Sequence, residues 1–156
     1  MLVLFLFSMK IEDEIKQLKF KSVHQKAVIN LIFTSGWLQG RQQSLFKPFG
    51  ITSQQFNILR ILKGQHPKTI SATEIKSRML DKNSDVSRLL DRLATKGLID
   101  KQTCPKDKRQ SDVQITQAGL DILTELDKKQ KAIDHVQALS EKEADELSNL
   151  LDKLRG

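Results

Sequence analysis

The sequence predicts a mainly α-helical fold that carries one small β-hairpin, and three observations lead there. Glycine (7) and proline (3) are scarce among the 156 residues, and β-branched residues do not cluster, a composition that favours helix. The pairs Thr52–Gln55, Ser71–Glu74 and Ser140–Glu143 have capping-box spacing, in which each partner satisfies the other's backbone N–H at a helix start. Between residues 99 and 116 the period changes, and Val113 to Thr116 alternates apolar and polar, the signature of a strand.

The chain opens with six apolar residues, Leu2 to Phe7. A secretory leader needs a basic start, a longer apolar stretch and a small-residue cleavage site, and a membrane span needs about 20 residues. Residues 1–8 are therefore expected to be an upstream extension with Met9 as the native start; a short segment packing at a subunit contact is the alternative. The chain is expected to be soluble.

From Lys10 to Lys47 the pattern is helical. Ile11, Ile15 and Leu18 are spaced by four and three, Ala27 to Phe33 is denser, and Trp37, Leu38, Leu45 and Phe46 continue. Pro48 ends the run and Gly50 marks a turn. Helices this long, broken or not, are common where subunits pack together. Thr52 opens a second helix whose broad apolar face holds Phe56, Ile58, Leu59, Ile61 and Leu62, and a loop with Pro67 follows. Ser71 starts a short helix with Ala72, Ile75 and Met79 facing inward. The next helix is expected from about Asn83 to Lys96, with Val86, Leu89, Leu90 and Leu93 in one stripe and Gly97 as C-cap. Two short capped helices with a tight turn between them form a helix-turn-helix.

Ile99 to Cys104 and Val113 to Thr116 then read as a two-stranded hairpin around the charged segment PKDKRQSD, residues 105–112, a wing. Thr116 is placed to cap a helix reaching about Asp134 with Leu120, Leu123 and Leu126 along one side. The last helix carries Ala144, Leu147, Leu150, Leu151 and Leu154, a stripe that a monomer of this size would struggle to cover. The organisation expected is an N-terminal dimerisation region over 9–50, a reading lobe over 51–116 and C-terminal dimerisation helices over 117–156.

Charge points to a partner. The formal net charge is +7, and it is uneven: residues 76–109 hold ten Lys/Arg against five Asp, whereas residues 110–156 hold six against ten Asp/Glu. A basic segment of this kind suits a polyanion, although Lys and Arg also simply solvate helix faces. With Val86, Leu89, Leu90 and Leu93 inward, the opposite face carries Ser84, Arg88, Asp91 and Thr95, flanked by Ser87 and Arg92, with Lys82 and Asn83 at its amino end. Such side chains match the donor and acceptor patterns of base edges, and a helix N-terminus favours phosphate; an ordinary amphipathic surface helix would show similar residues. Lys106, Lys108 and Arg109 at the hairpin tip can reach a phosphate backbone or a narrow minor groove. Asp107 is expected to pair with a neighbouring arginine and fix the loop's shape. A solvated turn is the alternative for this loop.

Other chemistries find little support. His24, His66 and His135 have no metal-ligand spacing, and there is no HExxH, Gly-rich phosphate loop or GxSxG. No enzyme, cofactor or metal is expected. The single Cys104 allows no intramolecular disulfide and fits a reducing cytoplasm. Lys101 and Lys106 nearby favour its thiolate, which suits redox sensing; a plain strand residue is the alternative.

The stretch DVSRLLDRLATKGLIDKQTCPKDKRQSDVQITQAG, residues 85–119, resembles the heart of the MarR family. The pattern DRL-x-x-x-GLI falls on Asp91, Arg92, Leu93, Gly97, Leu98 and Ile99. The pattern D-x-R, apolar strand, T-x-x-G falls on Asp107, Arg109, Val113, Ile115, Thr116 and Gly119. Residues 51–62 resemble the family's helix before the helix-turn-helix, and the likeness extends from about residue 10 onward. Ile115 replaces a more usual leucine, and Asp112 places an acid in the returning strand.

The resemblance implies a winged helix-turn-helix and a homodimer whose first and last helices interlock over a pseudo-palindromic operator. It also implies Ser84, Ser87 and Arg88 in the major groove, and Arg109 in the minor groove. A small aromatic or phenolic effector, bound between the helical layer and the DNA-binding lobe, is the ligand class it suggests. The function expected is a cytoplasmic, sequence-specific regulator of transcription that binds double-stranded DNA, a ligand-responsive repressor. The alternative is a winged-helix protein-interaction module without DNA binding.

Overall fold

The computed structural model describes residues 10–103, 111–133 and 138–156, with backbone alone over 130–133. It is mostly helical with a small three-stranded antiparallel sheet, the winged-helix arrangement. The elements run α1 (Ile11–Glu14), α2 (Val23–Phe46), a 3-10 turn (Lys47–Phe49), α3 (Ser53–Lys63), β1 (Ile70–Ser71), α4 (Ala72–Arg78), α5 (Val86–Thr95), β2 (Ile99–Thr103), β3 (Ser111–Ile115), α6 (Gln117–Ile133) and α7 (Glu141–Arg155). The chain divides into two compact units, residues 1–44 and 45–156. The opening apolar segment, Leu2 to Phe7, lies outside the described residues.

In the first unit the expected helical run from Lys10 is broken. α1 ends after one turn and Lys16 adopts a left-handed φ of 53°. Ser22 then starts α2 afresh: its Oγ accepts the Gln25 N–H at 3.1 Å, while Gln25 Oε1 accepts the Lys21 N–H at 2.7 Å. Ser22 and Gln25 are one more Ser-x-x-Gln pair, so a local signal for this break was present in the sequence. Lys26 Nζ donates to Glu12 Oε1 at 2.5 Å, joining α2 to α1, and this hydrogen bond holds the Glu12 carboxyl below its ordinary pKa.

The second unit has one continuous core. Ile58, Leu59 and Leu62 of α3, Ile75 of α4, Val86, Leu90 and Leu93 of α5, Val113 and Ile115 of β3, and Leu123 and Leu126 of α6 are all buried together. Each such side chain contributes on the order of 2 kcal/mol by leaving water. The core is wider than residues 51–116. Phe46, from the last turn of α2, joins it and stacks on Phe56 with ring centroids 4.6 Å apart, and α6 closes it from the other end. On the surface, Arg60 and Lys63 of α3 reach Asp127 of α6 at 3.1 and 3.3 Å.

The three expected capping boxes all form. The hydroxyls of Thr52, Ser71 and Ser140 accept the N–H of Gln55, Glu74 and Glu143, whose side chains return the bond. The hairpin differs in two respects: Ser111 and Asp112, expected in the loop, belong to β3, and there is a third strand. β1 pairs with β3 through Ile70 opposite Val113 and Ser71 opposite Asp112, giving the order β1-β3-β2. Ser71 thus serves twice, as the last strand residue and as the cap of α4. β2 and β3 stay paired out to Thr103 opposite Ser111.

Two glycines have structural reasons. Gly97 sits at φ 69°, where an L side chain is strained. There the N–H of Leu98 bonds the Leu93 carbonyl at 3.0 Å and that of Gly97 bonds Ala94 at 2.8 Å, the paired bonds of a Schellman C-cap. At Gly119 a Cβ would lie 2.4 Å from the Leu98 carbonyl oxygen. Thr116 packs into the same corner: its N–H donates to Leu98 O at 3.1 Å, its Oγ1 donates to Gly97 O at 2.7 Å and accepts the Gly119 N–H at 3.2 Å.

Candidate nucleic-acid interface

α5 is divided cleanly between core and solvent. Val86, Leu90 and Leu93 are buried, Leu89 is half-buried, and Ser87, Arg88, Asp91, Arg92 and Thr95 are exposed on the other side. This is the geometry of a helix pressed onto the core from one face only, so its polar face is free to meet another molecule.

The amino end differs from expectation. The helix begins at Val86 rather than Asn83, with Asp85 as N-cap: its Oδ1 accepts the Arg88 N–H at 3.2 Å. Lys82, Asn83 and Ser84 consequently occupy the turn before the helix. Asp81 builds that turn. Its Oδ1 accepts the Asn83 N–H at 3.0 Å, and its Oδ2 accepts the Ser84 hydroxyl at 3.0 Å. Asp side chains favour such local bonds over helix, which is why the helix starts three residues later. Lys82 Nζ turns back to the Ser77 carbonyl at 2.7 Å, near the end of α4, and the Leu80 N–H is received by Asn57 Oδ1 of α3 at 2.9 Å.

The charges on α5 are partnered differently along its length. At its start Arg88 Nε lies 3.3 Å from Asp85 Oδ2. In the middle Asp91 accepts from Lys101 Nζ of β2 at 2.7 Å, tying the helix to the base of the hairpin. At its end Lys96 donates to the Gly50 carbonyl and, at 3.4 Å, to the buried Gln55. Arg92 has no ion-pair partner among the described residues. On α4, Glu74 lies below its ordinary pKa because the Ser71 N–H, and then the Ser71 hydroxyl, donate to it.

Of the sequence-predicted residues, the structure brings Ser87, Arg88 and Arg92 onto one exposed face, with Lys82, Asn83 and Ser84 on the turn at its head. Lys106, Asp107, Lys108, Arg109 and Cys104 lie outside the described residues. Sequence reasoning missed Asp81, whose Asp-x-Asn-Ser setting is itself a turn signal. It also missed Lys101 and Lys96, whose partners come from other elements. Among the described residues no cluster of His, Cys, Asp or Glu is placed to hold a metal ion, and no helix is long and apolar enough to cross a membrane.

The MarR family model matches residues 51–111, which include α3, β1, α4, α5 and β2. The chain is similar to a MarR transcription factor from Planctomyces limnophilus: 31% identity, TM-score 0.67, covering 88% of this chain and 98% of that one. It is also similar to a mutant MarR from E. coli solved in complex with operator DNA, with 27% identity, TM-score 0.67, and 80% and 91% of the two chains covered. A MepR–DNA complex from S. aureus shares the fold at 21% identity and TM-score 0.72, over 82% and 94% of the chains. No curated protein sequence matches.

Proposed function

The chain belongs to the MarR family of transcription regulators, and from that premise we propose that it binds duplex DNA sequence-specifically as a homodimer. The observation that carries this reading is the exposed polar face of α5, with Ser87, Arg88 and Arg92 in solvent above a buried apolar face. In this reading Ser84, Ser87 and Arg88 enter the major groove, with Lys82, Asn83 and Arg92 beside them at bases or phosphates. The wing residues Lys106, Lys108 and Arg109 follow the adjacent backbone and minor groove, and Asp107 shapes their loop. The E. coli relative solved on operator DNA supports the same use of the fold.

The dimer assigns 9–50 and 117–156 to subunit association and 51–116 to reading. Its support is the last helix, which buries none of its residues within the chain. A repressor released by a small aromatic or phenolic ligand, acting in the cytoplasm, completes the proposal.

The test is a salt titration of binding to duplex DNA. Affinity is expected to fall along a log–log line, with a slope of roughly −0.9 for each phosphate contact. Arg109→Ala is expected to cost about 1–3 kcal/mol without unfolding the protein. Binding without salt dependence, or none at all, would instead favour a protein-interaction module.

A further inference from the structure

α5 and its N-cap together carry two carboxylates and two guanidinium groups near the exposed face, and the structure sorts them. Asp91 is turned to Lys101 of β2 at 2.7 Å. Asp85 is left to Arg88, and it makes two separate contacts with that one residue: Oδ1 accepts the backbone N–H at 3.2 Å, and Oδ2 lies 3.3 Å from Nε. The backbone bond is the helix cap, so it fixes the carboxylate. The Nε edge of the guanidinium is the one that faces this carboxylate.

Arginine has five N–H donors in a rigid planar fork. With Nε the guanidinium atom nearest to Asp85, the four donors on the two Nη groups are left for another partner, and Arg88 remains 80% exposed at the side chain. An end-on pair of Nη groups is a bidentate match to O6 and N7 of guanine, the base whose major-groove edge presents two acceptors side by side. A phosphate can be met from any edge of the fork and would need no such fixing.

We propose that Asp85 is a specificity-determining positioning residue: it holds Nε of Arg88 so that the two Nη groups read a guanine in each half-site. This rests on the DNA-binding reading given above. It assigns to Asp85 a role beyond capping, and it names the base. An acidic residue close to phosphate weakens binding to all DNA, and here that cost is offset by discrimination.

The experiment uses the full-length protein and duplexes selected by it from a randomised pool, followed by every single-base variant of the selected duplex. Asp85→Asn and Asp85→Ser both keep a capping side chain and remove the carboxylate, and melting curves check that each stays folded. Arg88→Ala should abolish preference for guanine at one position per half-site, a factor of roughly 5 to 150. Both Asp85 variants should lose preference at that same position while binding random duplex at least as tightly as wild type. The double variant Asp85→Asn/Arg88→Ala should discriminate no worse than Arg88→Ala alone. If the Asp85 variants bind every duplex more tightly with guanine preference intact, the ion pair only restrains Arg88 and the proposal fails. Equal losses on all duplexes in Arg88→Ala would make it a phosphate contact and also refute it. If the wild type selects no sequence at all, the underlying DNA-binding reading fails first.

Discussion

Residues 45–126 and the helices α2 and α7 handle apolar side chains in opposite ways. In the lobe, Ile58, Leu59, Leu90, Leu93, Leu123 and Leu126 are completely buried, and the surface of α5 is left polar. On α2, by contrast, Ile32 is 67% exposed and Val28 47%, and on α7 Leu147, Leu150 and Leu154 are 46%, 64% and 61% exposed. Apart from Leu80, which is 87% exposed, the first region is finished within one chain. The second is unfinished, because a stripe of leucines in water gains nothing from being periodic unless something covers it. The contrast separates the lobe, whose core is closed, from helices whose exposed apolar faces are those proposed above for association.

Substitutions can break or sharpen that contrast. Leu90→Ala should act most strongly, costing about 2–5 kcal/mol through lost burial and a cavity, read by urea denaturation; a loss under 1 kcal/mol would mean the lobe core is loosely packed. Next comes Gly119→Ala. The new methyl would press on the Leu98 carbonyl, and overpacking of this kind costs about 1–3 kcal/mol, visible as a lower Tm. Leu150→Lys should change unfolding of the chain by no more than about 0.5 kcal/mol, as for other surface sites. Its expected effect is on mass in solution, shifting sedimentation from dimer towards monomer, and an unaltered dimer would remove α7 from the interface.

The smallest expected effect is on acid sensitivity. Glu74 has its pKa lowered in the folded chain by Ser71, so the stabilisation it gives is full above the unfolded value, about 4.3, and fades as pH falls through the lower folded value. Glu74→Gln keeps a capping-box side chain without a titrating group. It should lower stability slightly at neutral pH and leave the acid end nearly unchanged, so that the acid limb of a stability–pH curve flattens.

What was legible in the sequence was local. A capping box acts over three residues and a C-cap glycine over a few, so Thr52, Ser71, Ser140 and Gly97 could be assigned by inspection, as could the apolar stripe of α5. The break before α2 was local too, but Ser22 and Gln25 lie inside a pattern that stays helical in period, and no glycine or proline marks it. β1 was hidden for another reason. Two residues have no period, and Ile70 becomes a strand only because Val113 arrives opposite it. The partners of Lys96 and Lys101 were equally out of reach, since the first spans 46 residues to Gly50 and the second joins a strand to a helix.

The corner at Leu98 has a mechanical consequence. Its carbonyl receives Thr116, its neighbour Gly97 receives the Thr116 hydroxyl, and Gly119 passes too close for any methyl group. The end of α5, the root of the hairpin and the start of α6 therefore meet at this corner, in addition to sharing the core. A torque applied to α6 would reach α5 and the hairpin through this corner. In a dimer, the distance between two such helices would then be set by how whole lobes swing, with little bending inside either one.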